Sequence, residues 1–197
     1  MTHSIPTSDD RLFGDAILPP HVRLTDFWRW AFSDLSEDYL KGFFAEWMVA
    51  VLLGLPVQDS RRLEFQRYDH ASGAKRIEVK STARWQSWKV LDEEGRPRSI
   101  PKKPATPDSS IRFAGLRTDD GKYNADIYVL CFQAEKDFAR WNALDLSQWE
   151  FYVVRQRDLQ RLGTKSIGLK KVRELSPRLT ARELQKSLAY EVSGHAS

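Results

Sequence analysis

The run from Arg76 to Lys80 is the feature that most constrains the fold, because its apolar and charged residues alternate. Alternation with a period of two predicts a β-strand with one buried face. Ile77 and Val79 are predicted to point into the core, whereas Glu78 and Lys80 project together from the other face. A carboxylate and an ammonium group therefore stand side by side.

A turn signal precedes this strand and predicts a β-hairpin. The small residues at 71–74 separate it from an alternating run that ends at Asp69. A turn centred on the middle two of these residues places Asp69 across from Arg76, on the same face as Glu78. A shift of one residue in register would turn Asp69 to the opposite face.

An apolar helix is predicted before the hairpin, following Ser36 and ending at the stop supplied by Gly54 and Pro56. It is apolar nearly all round, so it is predicted to be buried. Glu46 shares a helical stripe with Phe43 and Ala50. A buried carboxylate requires a partner, either a metal ion or a hydrogen bond to the lysine of the strand.

Asp69, Glu78 and Lys80 together indicate the type of reaction that the protein could catalyse. Carboxylates a few ångströms apart repel each other, and a hard divalent cation with oxygen ligands, typically Mg²⁺, relieves the repulsion. Such an ion could polarise a phosphodiester and promote proton loss from a coordinated water, while Lys80 orients that water or stabilises charge on the phosphate. Asp69, Glu78 and Lys80 therefore predict phosphodiester hydrolysis.

These residues resemble the PD-(D/E)XK nuclease superfamily, whose core is a helix carrying a glutamate, then a hairpin with an aspartate and an (Asp/Glu)-x-Lys element. The matching segments are 42–50, Tyr68-Asp69 and Glu78-Val79-Lys80. The resemblance implies a restriction-endonuclease-like α/β fold, an α/β/α core with a central mixed β-sheet flanked by helices. It also implies dependence on Mg²⁺ or Mn²⁺ and cleavage of nucleic acid.

The resemblance implies roles for individual residues. The metal would be held by Asp69, Glu78, Val79 and Glu46. The catalytic group would be Asp69, Glu78, Lys80 and Glu46, with Lys80 as the catalytic lysine and Glu46 as an accessory acid. No proline directly precedes Asp69, a position that the family often relaxes.

A second group of residues is predicted to contact nucleic acid. The segment after Lys80 mixes basic, aromatic and amide side chains, and a basic, proline-rich loop follows at about 92–109. The candidates are Arg84, Gln86, Trp88, Arg96, Arg98, Lys102 and Lys103. Two simpler interpretations stay open, namely that the tryptophans pack inside the protein and that the loop is merely solvated.

Further apolar runs at 111–116, 125–132 and 149–154 are predicted to extend the sheet, and 166–169 is a short strand candidate. A capping box from Thr180 to Glu183 predicts a final helix. Asp126, at a strand start, is expected to act as a structural cap. The four histidines lack metal-binding spacing, and His70 is predicted to face away from Asp69.

Length and composition favour one main domain at 23–192, with an N-terminal arm at 1–22 and a tail at 193–197. The net charge of +4 fits a polyanionic partner or an ordinary solvated surface. The start lacks a signal peptide, and the longest apolar stretch is too short to span a bilayer. Cys131 lies in an apolar run and is expected to be buried. A soluble cytoplasmic protein without a membrane partner is expected.

The sequence thus predicts a Mg²⁺-dependent nuclease, a DNA endonuclease in the first instance, with a homodimer as the arrangement that would cut both strands. Two alternatives stay open. One is a catalytically inactive subunit of nuclease fold that binds nucleic acid or assembles a complex. The other is an interaction module whose tryptophans bind a protein partner and whose Glu78 and Lys80 form only a surface ion pair.

Overall fold

The computed structural model describes residues 8–11, 21–57, 67–86 and 104–193. The chain divides into two compact units, 1–35 and 36–197. The first unit contains helix α1 (Leu24–Phe32). The N–H of its N-cap residue, Arg23, donates to the Asp26 carboxylate at 2.8 Å.

The second unit holds the remaining elements and is the unit that carries the candidate site. Its helices and strands, in chain order, are α2 (Asp38–Leu52), β1 (His70–Ser72), β2 (Lys75–Ala83), β3 (Arg112–Ala114), β4 (Ile127–Gln133), β5 (Trp149–Arg155), α3 (Gln156–Leu162), β6 (Ser166–Gly168), α4 (Leu169–Leu175) and α5 (Ala181–Ser193).

A mixed four-stranded sheet in the order β1-β2-β4-β5 forms the centre of this unit. β2 is antiparallel to β1 and parallel to β4, and β5 is antiparallel to β4. All seven residues of β4 are buried, as expected for a strand with neighbours on both edges and cover on both faces. The predicted class, α/β with a central mixed sheet flanked by helices, is confirmed.

Two hydrophobic clusters cover the two faces of the sheet. The first, called here the α2 face, packs helix α2 against β2 and helix α5 against β5, through residues such as Val49, Val79 and Leu188. The second, called here the β3–β6 face, brings Phe113 and residues of α3 and α4 against Tyr128 and the alternate residues of β4. Cys131 is buried within the α2 face, as predicted.

Two predictions about these elements were wrong. The run 111–116 does not extend the central sheet, because β3 pairs only with β6 in a separate two-stranded sheet. Backbone hydrogen bonds on both sides of this pair hold the arrangement. The Leu116 N–H donates to the Lys165 carbonyl, and the Leu169 N–H donates to the Ile111 carbonyl. Helix α2 is not buried all round, because the sheet covers one side of it and leaves Trp47 53% exposed.

The hairpin is present, but its turn is displaced from the predicted position. Gly73 has a φ of 56° and forms the turn with Ala74, a left-handed conformation that glycine adopts without strain. His70 therefore pairs with Ile77, and the same register aligns Asp69 with Glu78 instead of Arg76. The turn moves by one residue and the residue opposite Asp69 by two, so Asp69 stays on the predicted face.

Two capping predictions are confirmed. The final helix begins with the predicted box, in which the Thr180 N–H and the Glu183 carboxylate bond at 2.8 Å. Asp126 accepts from the Arg76 N–H at 2.9 Å and pairs with its guanidinium, which makes it a structural residue at the start of β4. Among the helices of the described residues, none combines the length and apolar character that crossing a membrane requires.

The central position of β4 gives a direct test of the core. Leu130 is fully buried on the β3–β6 face, and we expect Leu130→Ala to lower the free energy of unfolding by about 2–5 kcal/mol through lost burial and a residual cavity. Leu144→Ala is the matched control, because Leu144 is 66% exposed and should change stability by less than about 0.5 kcal/mol. Denaturant unfolding measures both, and equal effects would contradict this packing.

Candidate active site

Asp69 lies immediately before β1, at the edge of β2. Its N–H donates to the Ile77 carbonyl at 3.0 Å, and its carboxylate Oδ2 accepts from the Val79 N–H at 2.7 Å. β1 pairs with β2 only as far as Ile77. The Asp69 carboxylate therefore takes the place of a further strand residue and satisfies the edge of β2 where β1 ends.

Glu78 and Lys80 project from the same side of β2, as the alternation predicted. The Lys80 Nζ donates to Glu78 Oε1 at 2.5 Å, and their side chains are 27% and 15% exposed. Gly115 approaches this pair closely, since a Cβ there would lie 3.6 Å from Lys80 Cε, and its φ of +69° also favours glycine. The pair is thus partly enclosed and is not an ordinary surface ion pair.

Glu46 reaches the site from α2 and is half-buried. Its backbone carbonyl lies 2.8 Å from His70 Nε2, and because a carbonyl can only accept, the imidazole donates. This bond ties the first residue of β1 to the helix that carries Glu46. His70 was predicted only to face away from Asp69, so its positioning role was missed. The sequence signal for this role is that His70 directly follows Asp69 in a strand, where successive side chains point to opposite faces of the sheet.

Electrostatics connect the three carboxylates. Burial raises the pKa of Asp69, and the negative charge of Glu46 raises it further, against the lowering effects of the Val79 N–H and the Lys80 charge. Burial also raises the pKa of Glu78, where Lys80 opposes the shift and Asp69 and Glu46 add to it. The pKa values of Asp69 and Glu78 therefore both respond to the charge of Glu46, and that of Glu78 also responds to Asp69.

The structure thus brings together all four predicted catalytic residues, Glu46, Asp69, Glu78 and Lys80. They come from three different elements: helix α2, the residue before β1, and strand β2. A cluster of buried, mutually repelling carboxylates with one lysine costs folding free energy. Such clusters are typical of functional sites.

The donor set fits a divalent cation by its chemistry. Carboxylate oxygens are the ligands that Mg²⁺ takes, and a cation would relieve the repulsion that raises the pKa of Asp69 and Glu78. In the described part of the chain, however, no group of three or more His, Cys, Asp or Glu side chains is arranged so that it could hold a metal ion. Glu78 is turned to Lys80 and Asp69 to Val79, which accounts for this arrangement.

Val79 can offer a metal only its backbone carbonyl. The N–H and C=O groups of one strand residue point to the same edge of the strand. Since the Val79 N–H bonds to Asp69, its carbonyl also faces the edge where Asp69 stands. The predicted inclusion of Val79 beside the carboxylates is therefore compatible with the backbone geometry.

Arg84 does not lie at a surface where it could contact nucleic acid. It is 4% exposed, and its guanidinium donates to the carbonyls of Ala134 and Thr106, pairs with Asp108, and lies 5.0 Å from the centre of the Phe132 ring. These contacts assign Arg84 a structural role in place of the predicted phosphate contact.

Gln86 is also bonded within the protein. Its oxygen accepts from Lys41 Nζ at 2.7 Å, and its amide nitrogen donates to the Ala83 carbonyl at 2.9 Å. The buried Lys41 of α2 thereby connects the helix to the end of β2, a contact that apolar patterning did not predict. The remaining candidates for nucleic-acid contact, Trp88, Arg96, Arg98, Lys102 and Lys103, lie outside the described residues.

In comparisons with known proteins, no family model, curated protein or solved structure matches the chain. The chemistry of the site therefore has to be argued from its own residues.

The pKa shift of Asp69 predicts how stability depends on pH in metal-free protein. A pKa raised on folding means that the folded state binds the proton more tightly, so the wild type loses stability as pH rises through that pKa. Asp69→Asn removes this titration and keeps an oxygen for the Val79 N–H. We expect the variant to gain free energy of unfolding relative to wild type as pH rises above about 4, in denaturant unfolding with EDTA.

Asp126→Asn is the matched control with the opposite sign. The Arg76 guanidinium lowers the pKa of Asp126, so this carboxylate stabilises the folded state above the unfolded pKa and loses that effect as pH falls. The Asp126 variant should therefore lose stability relative to wild type as pH rises towards about 4, and should change no further above it. Slopes of the same sign for both variants would contradict the burial of Asp69.

Proposed function

We propose that this protein is a metal-dependent nuclease that hydrolyses phosphodiester bonds, with DNA as its first candidate substrate. The observation that carries the proposal is that Asp69 and Glu78 interact electrostatically with each other, with Glu46 and with Lys80, which is bonded to Glu78. The same order of helix, hairpin and Glu-x-Lys strand underlies the resemblance to the PD-(D/E)XK superfamily.

The residues that would hold Mg²⁺ or Mn²⁺ are Asp69, Glu78, the carbonyl of Val79 and Glu46. When bound, the ion would supply Lewis-acid polarisation of the phosphate and a lowered pKa for a bound water. The protein's own contribution is to hold these oxygens at a partly dehydrated edge of the sheet. There, electrostatic interactions with a phosphate are stronger than in bulk water.

Lys80 supplies the positive charge of the site. Its ammonium is held at Glu78, and Gly115 lies beside its side chain. In this position Lys80 can stabilise charge that develops on the phosphate or orient the attacking water. Glu46 acts as an accessory acid, and its backbone bond to His70 fixes the distance between α2 and the hairpin.

A non-catalytic subunit that binds nucleic acid is the second candidate, and the Lys80–Glu78 pair is the observation that favours it. At 2.5 Å this bond already neutralises one of the carboxylates that a metal would require. Such a subunit would bind DNA with strong salt dependence and would not cleave it under any metal. A homodimer is the arrangement proposed for an active enzyme that cuts both strands of DNA.

Cleavage of plasmid and linear DNA in Mg²⁺, Mn²⁺ or EDTA tests the proposed activity. We expect cleavage to require the divalent ion and to fall by roughly 100-fold or more in Lys80→Ala and Asp69→Asn, because each variant removes charge that stabilises the reacting phosphate or holds the ion. Cutting in EDTA, or full activity in both variants, would refute the assignment.

A second ion pair in the chain provides the matched control. Lys171 and Glu174 also form a lysine–glutamate pair, at 2.8 Å, but on an exposed helix surface. Lys171→Ala should therefore cleave like the wild type, which separates the site from a general effect of removing a surface lysine. DNA binding without any cleavage by the wild type would favour the non-catalytic subunit.

Titration calorimetry with Mn²⁺ tests the metal site apart from catalysis. We expect one binding event that is lost in Asp69→Asn and strongly weakened in Glu78→Gln, since each substitution replaces a charged oxygen ligand with a neutral amide. Glu174→Gln should bind Mn²⁺ like the wild type. Unchanged Mn²⁺ binding in the Asp69 and Glu78 variants would show that these carboxylates do not hold the ion.

A further inference from the structure

A basic cavity of about 700 Å³ opens beside the start of β2. This volume is within the range of sites that bind small molecules or single nucleotide units. No Asp or Glu side chain lines it in the described part of the chain. The side chains that matter for its chemistry are Arg67, Tyr68, Arg76, Arg117, Lys122 and Tyr123.

The cavity adjoins the candidate active site through the chain itself. Arg67 and Tyr68 directly precede Asp69, and Arg76 comes two residues before Glu78 on the same face of β2. Side chains two residues apart on a strand are about 6.5 Å from each other. From the opposite side, Arg117 follows two residues after Gly115, which abuts Lys80.

The charges of this cavity are only partly compensated. Arg76 is bonded to Asp126 at 2.8 Å and Lys122 to Asp120 at 2.6 Å, so these two cations have acidic partners nearby. Arg117 differs, because its Nε is buried and has no hydrogen-bond partner among the described residues. An unsatisfied buried donor on a guanidinium is costly, and a ligand oxygen would satisfy it. Arg67 is exposed and adds a further guanidinium to the lining, beside those of Arg76 and Arg117.

Tyr123 forms a fixed wall of the cavity. Its hydroxyl lies 3.0 Å from the Leu159 carbonyl and 3.1 Å from that of Thr164, either of which can accept its proton. Its ring meets Tyr128 edge to face at 6.3 Å, and Tyr128 is paired with Glu78 in the sheet. A held aromatic wall between guanidinium groups and the catalytic strand suits a ligand with both a phosphate and a flat ring.

We infer that this cavity binds a phosphate-bearing nucleotide of the substrate strand, with the phosphate held by Arg67 and Arg117. Guanidinium groups bind phosphate oxygens through charge-assisted hydrogen bonds, and Arg117 has the donor available. The inference rests on the proposed nuclease function, because it names where the strand next to the reacting bond is held. The phosphate can be internal to the strand or at its 5′ end.

Binding of a fluorescein-labelled single-stranded 12-nucleotide DNA, measured by anisotropy in EDTA, tests the cavity without catalysis. We expect Arg117→Gln and Arg67→Gln each to weaken binding by about tenfold, as the loss of a charge-assisted bond implies. The slope of log affinity against log salt should fall by about 0.7 for each phosphate contact removed. Because Arg67 is exposed, its substitution should leave folding intact, which a thermal melt verifies.

Arg182→Gln is the matched control. Arg182 is exposed on α5, which packs on the α2 face and therefore on the other side of the sheet from the cavity. This variant removes the same charge and should bind within twofold of the wild type. Equal binding by the Arg67, Arg117 and Arg182 variants would overturn the inference, as would competition by a nucleoside monophosphate that is no better than by inorganic sulfate.

Paired 12-nucleotide DNAs with a 5′ phosphate or a 5′ hydroxyl identify the source of the phosphate. A preference for the 5′ phosphate that disappears in Arg117→Gln assigns the cavity to strand ends, and equal affinity with the same loss in the variant assigns it to internal phosphates. Failure of the nuclease proposal appears separately, as cavity-dependent binding without cleavage. Failure of the cavity alone appears as wild-type binding and cleavage in both arginine variants.

Discussion

The hydrogen bond from the Val79 N–H to the Asp69 carboxylate is the interaction on which the candidate site depends. β1 is only three residues long, so most of the edge of β2 has no strand of this hairpin beside it. Asp69 satisfies the first backbone donor beyond the paired region, and in doing so it is held next to Glu78. If β1 were longer, its backbone would accept from the Val79 N–H, and this bond would no longer hold the Asp69 carboxylate beside Glu78.

The same arrangement explains why the site opposes stability. Burial and mutual repulsion raise the pKa of both Asp69 and Glu78, which means that the folded protein holds their charged forms reluctantly. Fixed neighbours prevent the group from separating: His70 ties β1 to α2 at Glu46, and Lys80 holds Glu78. The surrounding sheet, with β4 buried along its whole length, supplies the stability that offsets this strain.

Local rules predicted the faces that these side chains take, because each face depends on a period. Alternation placed Glu78 and Lys80 on one face, and Asp69 kept its face because the residue opposite it moved by two positions, from Arg76 to Glu78. Arg84 and Gln86 could not be predicted in this way, since their partners, Asp108 and Lys41, are distant in sequence. The pairing of β3 with β6 has the same cause, because a strand of three residues carries too little pattern to specify its neighbour.

The two-residue period of β2 also links the candidate site to the basic cavity. Arg76, Glu78 and Lys80 follow one another on one face, so their side chains present a cation, a carboxylate and a second cation in turn along β2. Arg76 is already paired with Asp126 and Lys122 with Asp120, which leaves Arg67 and Arg117 as the cavity cations without an ion pair among the described residues. Arg67 lies two residues before Asp69, and Arg117 lies two residues after Gly115, which contacts Lys80. The same segments of the chain therefore position both the cavity and the candidate site.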